Sequence, residues 1–181
     1  MSGELITVFG GSGFLGRYVV RNLCRAGYRV RVAGRKPHLA GDQRLAGDVG
    51  QVQIVQANVR NRPSIQRALE GASGVINLVG ILFERGQQTF EGTQGLGAKN
   101  VAELAAEAGI TNFVQLSAIG ADADSEAEYA RTKAAAEADV RQYMPSAAIV
   151  RPSIIFGPED DFFNRFASMA RFTPALPLIG G

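Results

Sequence analysis

Tyr129 and Lys133, four residues apart, are the pair in this sequence best suited to moving a proton. On a helix that spacing puts both side chains on one face, one turn apart. A phenol is a poor acid or base near neutrality, because its ordinary pKa is about 10. An ammonium beside it stabilises the phenolate and lowers that value. Tyr129 is therefore expected to give or take a proton, with Lys133 as its tuner. Ser117 stands twelve residues earlier, at the end of the apolar run Phe113-Val-Gln-Leu-Ser117. Its hydroxyl suits hydrogen bonding to a substrate carbonyl oxygen. Alone, Tyr and Lys at this spacing are also an ordinary side-chain contact, so their meaning depends on the rest of the chain.

The rest begins near the N-terminus. An apolar run, Leu5 to Phe9, breaks into Gly10-Gly-Ser-Gly-Phe-Leu-Gly16, and a helical pattern follows with Leu15, Val19 and Leu23 spaced four apart. The stretch fits G-x-G-x-x-G through Gly11, Gly13 and Gly16, and G-x-x-G-x-x-G through Gly10, Gly13 and Gly16. Strand, glycine turn and helix form the first turn of a dinucleotide-binding fold. Glycine is needed there because a pyrophosphate must sit against backbone N–H groups at the helix N-terminus, and a Cβ would hold it off. Glycine clusters also occur in plain loops, but this one lies between a strand and a helix. Gly10, Gly11, Ser12, Gly13, Phe14, Leu15, Gly16 and Arg17 are expected to surround a dinucleotide.

The end of the second strand reads Gly34-Arg35-Lys36-Pro37. NAD sites carry an acid there for the ribose 2′-hydroxyl. No acid falls between Arg29 and Gly41. Arg35 and Lys36 suit a 2′-phosphate instead, and Arg17 adds a third cation. NADP(H) is the expected cofactor, with NAD(H) as the alternative; solvated surface charge is the plainer reading of the same residues. Asn58 and Val59 fall where adenine contacts would lie, although a turn-forming asparagine fits equally. Leu78 and Val79 lead to Gly80, which permits close approach of backbone to ligand. With a cofactor bound, Ser117, Tyr129 and Lys133 would lie beside it, and a positively charged nicotinamide would help the phenolate further.

The elements that must position these groups alternate. Strands are expected over 5–9, 29–33, 52–57, 75–79, 113–117 and 147–150. Helices are expected over about 13–26, 63–70, 93–108, 125–143 and 161–171, with a polar linker over 41–50. This is an α/β chain with a doubly wound parallel sheet, a Rossmann fold. Asn77, polar inside an apolar strand, needs a partner if it is buried.

Composition narrows the classes. With 181 residues and 46% hydrophobic content, the chain suits one soluble domain, or a domain plus a fragment. A net charge of +2 gives no basis for a nucleic-acid partner. One cysteine, Cys24, and one histidine, His38, allow neither an internal disulfide nor a Cys/His metal cluster, and no metal site is expected. No apolar run approaches the length of a membrane span. Met1-Ser-Gly-Glu4 does not resemble a signal peptide, so a cytoplasmic location is expected. The apolar tail Pro174–Gly181 reads as the start of something longer. Residues 1–158 are expected to form the dinucleotide-binding domain, and 159–181 the beginning of a substrate lobe largely absent from this chain.

Four marks together resemble the extended or atypical short-chain dehydrogenase/reductases, of the NAD-dependent epimerase/dehydratase type. They are Gly10–Gly16, Ser117, Tyr129-x-x-x-Lys133 and Arg151-Pro-Ser-Ile-Ile-Phe-Gly-Pro158. The phrasing around Val8–Val20, Asn77–Ile81 and Gly157–Phe166 is similar to bacterial relatives of the NADPH-carrying accessory subunit of respiratory complex I. The resemblance implies that Pro152 and Ser153 lie beside the nicotinamide, and that the chain continues into a substrate lobe. It implies an unknown small-molecule substrate, or a structural nucleotide and a respiratory membrane partner, with a peripheral place at the inner membrane. The Ser117–Tyr129 interval is shorter than in most extended members.

Overall fold

A computed structural model describes residues 3–160, together with 163, 164, 167 and 168. Six parallel strands form one sheet in the order β3-β2-β1-β4-β5-β6. They are β1 (Leu5–Phe9), β2 (Arg29–Gly34), β3 (Val52–Gln56), β4 (Gly74–Asn77), β5 (Asn112–Leu116) and β6 (Ala148–Val150). The helices are α1 (Phe14–Arg25), α2 (Arg62–Leu69), α3 (Leu96–Glu107) and α4 (Glu128–Tyr143). The order reverses between β1 and β4, and a crevice opens there beyond the carboxyl ends of the strands.

Alternation along β1 sends Val8 and Phe9 into different layers. Phe9 joins Ile65, Val75, Val101, Leu104, Phe113 and Val140 beneath α2, α3 and α4. Val8 joins Val20, Cys24, Val30 and Val32 beneath α1. Cys24 is thus a buried, inert thiol whose pKa burial pushes up. On the α1 side the cover thins toward β6. Val114 is only half-buried, Val150 is 46% exposed, and an open groove of about 490 Å³ runs over Ile6, Ile76, Val114 and Ala148.

Several expected bounds shift for local reasons. The 41–50 linker is a 3₁₀ segment, Pro37–Ala46, which contains His38 and buries Ala40 and Gln43. The fourth strand ends at Asn77 rather than Val79, because the Asn77 side chain turns the backbone by accepting from Val79 N at 3.2 Å. Asn77 Nδ2 donates to Gln115 Oε1 at 2.9 Å, which supplies the partner its burial required. The helix expected from residue 93 begins with a π-turn, Glu91–Gly95, before α3. That expected from 125 begins at Glu128, because Arg131 Nη1 donates to the carbonyls of Ser125 and Glu126 and ties them into a turn. The first strand spans 5–9 as expected, and the remaining strands move by a residue at one end or both. Asn61 caps α2, with Ser64 N donating to its Oδ1 at 2.9 Å. Of the helix expected over 161–171 only 163, 164, 167 and 168 are described, all helical; most of the 159–181 segment lies outside the described residues. Among the described residues no helix is long and apolar enough to cross a membrane.

Candidate functional site

The turn after β1 is held by its own backbone. Gly11 N donates to Val8 O at 3.3 Å and Gly13 N to Gly10 O at 3.0 Å. Gly10 has φ +76°, a conformation that favours glycine. At Gly16 a Cβ would sit 2.5 Å from the carbonyl oxygens of both Gly10 and Gly11, so only glycine lets α1 start this close to the strand. Gln43 Nε2 donates to Gly11 O at 2.7 Å and braces the turn from the 3₁₀ segment. Nothing in the sequence marked Gln43 for that task. No side chain caps α1, and no acid stands in its first turn. The first N–H groups of the helix therefore have no partner within it, and they form the positive end of its dipole.

These N–H groups border a cavity of about 250 Å³ at the sheet's reversal point. Nine expected residues line it: Gly10, Ser12, Gly13, Arg35, Asn58, Val59, Leu78, Val79 and Gly80. The others serve differently or stand apart. Gly11 and Gly16 set the spacing behind the wall. Phe14 packs edge-on against Tyr18 at 5.7 Å, and Leu15 is half-buried. Lys36 is exposed beside Arg35. Asn58 is a turn-former, with its Oδ1 accepting from Arg60 N at 3.1 Å. Arg60, Gln88 and Thr93 also line the cavity and were not anticipated. Each sits in a connection or helix start where only the folded arrangement could bring it to the site. The wall fits a dinucleotide: glycines bring bare backbone to it, and among the described residues the buried Thr93 Oγ1, on its lining, and Gln94 Oε1, beside Gly80, have no partner, nor does Arg17 Nε in the first turn of α1.

The Tyr129–Lys133 pair lies on α4, across Gly80 from the cavity. Lys133 is buried, and its Nζ donates to Leu116 O at 3.3 Å. A Cβ on Gly80 would lie 3.3 Å from that Nζ. Tyr129 is half-buried and edge-on to Phe90 at 5.7 Å. Lys133 Nζ is 5.9 Å from the Tyr129 ring centroid. This arrangement corrects one expectation. Burial pushes the Tyr129 phenol up, and Lys133 does not offset it. The ammonium donates to a carbonyl and lies over the ring, with no hydrogen bond to the phenol oxygen. Pro152 and Ser153 do not line the cavity; Pro152 O accepts from Ile119 N at 2.9 Å, and Ser153 is exposed.

One turn below Lys133 is Glu137, a carboxylate in a residue 1% exposed. Arg151 grips it with two bonds, Nε to Oε1 at 2.8 Å and Nη2 to Oε2 at 2.7 Å. Arg141 adds a contact at 3.3 Å. Burial alone would raise this carboxyl, but the Arg151 bonds, aided by Ser117 and Arg141, hold it below the usual range. Among the described residues Ser117 Oγ is buried with no partner at hydrogen-bond geometry; it neighbours Glu137 without bonding to it.

Burial lowers Lys133 to about 8, against the opposing pull of Glu137. Unfolded, the same amine titrates near 10.4. Between those values the unfolded state holds more protons, so stability must rise with pH across that window. The rise attributable to Lys133 is expected to be about 2 kcal/mol between pH 7 and pH 9.5. Urea unfolding at both values should show it, and Lys133→Met should flatten it.

A parallel sheet with this strand order, a glycine turn at its reversal point and a Tyr–Lys helix defines a class. The model of the NAD dependent epimerase/dehydratase family matches residues 6–176, and the chain belongs to that family. It is 39% identical over 184 residues to the mouse (Mus musculus) protein named NADH dehydrogenase (ubiquinone) 1 alpha subcomplex subunit 9, mitochondrial, covering 99% of this chain and 48% of that one. It is 33% identical over 175 residues to the ceramide reductase of Caulobacter vibrioides, covering 97% and 54%. The chain spans about half the length of the curated relatives it matches. Among solved structures, UDP-glucuronic acid 4-epimerase from Bacillus cereus in complex with NAD has TM-score 0.75 at 16% identity, covering 92% of this chain and 63% of that one. That likeness shows the shared fold.

Proposed function

We propose that the chain binds NADP(H) along the carboxyl edge of its sheet and positions it for hydride transfer. The cavity at the reversal point carries this reading, because the α1 N-terminus, Arg35 and Gly80 all border it. The first-turn N–H groups of α1 would hold the pyrophosphate. Arg35 and Lys36, with Arg17 nearby, would meet a 2′-phosphate. Replacing Arg35 by Ala is expected to weaken NADPH binding about tenfold and to leave NADH binding unchanged, by titration calorimetry. An equal loss for both nucleotides would remove the phosphate assignment.

When bound, the nicotinamide supplies or accepts the hydride. The chain's own part is position and the proton. Tyr129 would hand a proton to the substrate oxygen, and its burial keeps that proton in place until the site is filled. Lys133, charged below about pH 8, would favour the phenolate left behind. Ser117 Oγ would donate to the carbonyl. Tyr129→Phe is expected to cut hydride turnover at least about a hundredfold while nucleotide binding persists; undiminished turnover would end this assignment. The mass spectrum of nucleotide released from denatured protein tests the cofactor itself.

A second reading is a nucleotide-carrying accessory or assembly protein of a respiratory complex, placed peripherally at its membrane. It is favoured by the 39% identity to a protein with that kind of name and by a phenol that burial makes reluctant to ionise. Tight NADPH retention, no turnover on a carbonyl panel and co-purification with a membrane complex would establish it. In either reading, residues 1–158 form the nucleotide-binding unit and the substrate lobe follows.

A further inference from the structure

Three connections leave the carboxyl edge of the sheet around Tyr129: residues 78–90 after β4, 117–127 after β5 and 151–160 after β6. They are joined to one another and to the tyrosine. Ser117 N donates to Val150 O at 2.8 Å and Ile119 N to Pro152 O at 2.9 Å, which ties the second connection to the third. Phe90, at the end of the first, packs against the Tyr129 ring.

Five of the eleven large apolar side chains exposed among the described residues stand on these connections: Leu82, Phe83, Ile119, Ile154 and Phe156, each at least 58% exposed. Single exposed apolar side chains need no explanation, but several gathered at one end of a molecule mark a surface that is covered in use. Charge narrows what covers it. Over the same connections six acids, Glu84, Asp122, Asp124, Glu126, Glu159 and Asp160, stand against two cations, Arg85 and Arg151. Arg151 is held by Glu137, and Arg131, in the first turn of α4, by the carbonyls of Ser125 and Glu126. A phosphate or carboxylate placed here would meet acids and few donors able to hold it. The acids are partly occupied as well. Glu84 Oε1 accepts from Phe90 N at 2.7 Å, Asp122 Oδ1 from Asp124 N at 3.0 Å, and Asp160 Oδ2 from Gly157 N at 3.1 Å. They shape the loops rather than recruit a cation.

Resting on the hydride-transfer reading above, we propose that the substrate of this site is an uncharged, chain-like apolar carbonyl compound, whose aliphatic part lies across Leu82, Phe83, Ile119, Ile154 and Phe156. Its carbonyl carbon takes the hydride of NADPH and its oxygen the Tyr129 proton, leaving the alcohol and NADP⁺. A nucleotide sugar would fit poorly, because its diphosphate needs more cations than these connections supply.

The test is binding of 2-hexanone, 2-octanone and 2-decanone to the full-length protein by ligand-observed NMR. Saturating NADP⁺ is present, which cannot reduce a ketone, so affinity is read without turnover. Each added methylene should tighten binding about threefold, which makes 2-decanone roughly a hundredfold tighter than 2-hexanone. UDP-glucose should bind at least about tenfold more weakly than 2-decanone. Phe83→Ser and Phe156→Ser should each weaken 2-decanone about tenfold and leave NADP⁺ affinity within about twofold. Affinity indifferent to chain length, or UDP-glucose bound more tightly than 2-decanone, overturns the proposal. So does a lowered melting temperature in both variants with ketone binding unchanged, since the remainder of the protein would then be what covers these side chains. If one variant fails to fold, the other decides, and the chain-length series needs no variant. Titration with NADPH alone checks the parent reading separately: if no dinucleotide binds, that reading falls, and this one with it.

Discussion

Gly16→Ala is expected to cost about 3 kcal/mol or more of folding stability and to weaken dinucleotide binding more than tenfold. The added methyl would lie 2.5 Å from two carbonyl oxygens, those of Gly10 and Gly11. Neither is the end of a flexible side chain, so the turn must move. It is tied to β2 through Gly10 N and Ala33 O at 3.0 Å, and to the 3₁₀ segment through Gln43. Moving it pulls on both. It also displaces the helix N-terminus, so binding should fall beyond what instability explains. Chemical denaturation with and without nucleotide separates the two losses. Gly27→Ala is a fitting control. Its Cβ would touch nothing, so the only cost there is its φ of +86°. A Gly16→Ala protein as stable as the original would show that α1 does not start against this turn.

Arg151→Met is expected to destabilise the fold at neutral pH, and by more than Glu137→Gln at the other end of the same pair. The asymmetry follows from burial. Arg151 has a half-exposed side chain and can return to water, whereas the Glu137 side chain is 2% exposed. Removing the arginine strands a buried carboxylate; removing the carboxylate frees an arginine that can return to water and takes from buried Lys133 only part of its support. The pH dependence has a definite sign. In the original protein Glu137 titrates below its ordinary value, so its contribution is present above about pH 4.3 and is lost as pH falls through its folded value. In Arg151→Met burial prevails, the carboxyl titrates higher, and the deficit should shrink on going from pH 7 toward pH 5. Urea melts at the two pH values check both points. A deficit independent of pH would mean that the arginine matters only for packing.

The glycine turn was legible because its constraint is local: a strand, a left-handed glycine and a helix start all lie within Leu5–Arg17. The doubly wound parallel sheet followed from the alternation of apolar runs and helical patterns. Tyr129 and Lys133 were legible as a pair from their spacing. Their electrostatics were not, because the Tyr129 pKa depends on burial and on where Lys133 Nζ points, and neither is written in a four-residue interval. Thr93 and Gln94 were hidden for another reason. They sit in a π-turn among Gly92, Gly95 and Gly97, and the pattern there reads as ordinary helix. Gly97 needs its bareness for Val59, whose Cγ2 a Cβ would approach to 2.7 Å. Glu137 resembled any acid on a helix until Arg151, fourteen residues later, closed on it.

The uneven cover of the sheet bears on how the protein is handled. Parallel strands are stable when both faces are dry, and the flank of β4, β5 and β6 nearest α1 is shielded least. Val114 and Val150 on this flank are open to other molecules, and the first failure of the isolated domain in the test tube should be clumping rather than unfolding. Mild detergent or a fused soluble partner should then rescue yield without altering the melting curve.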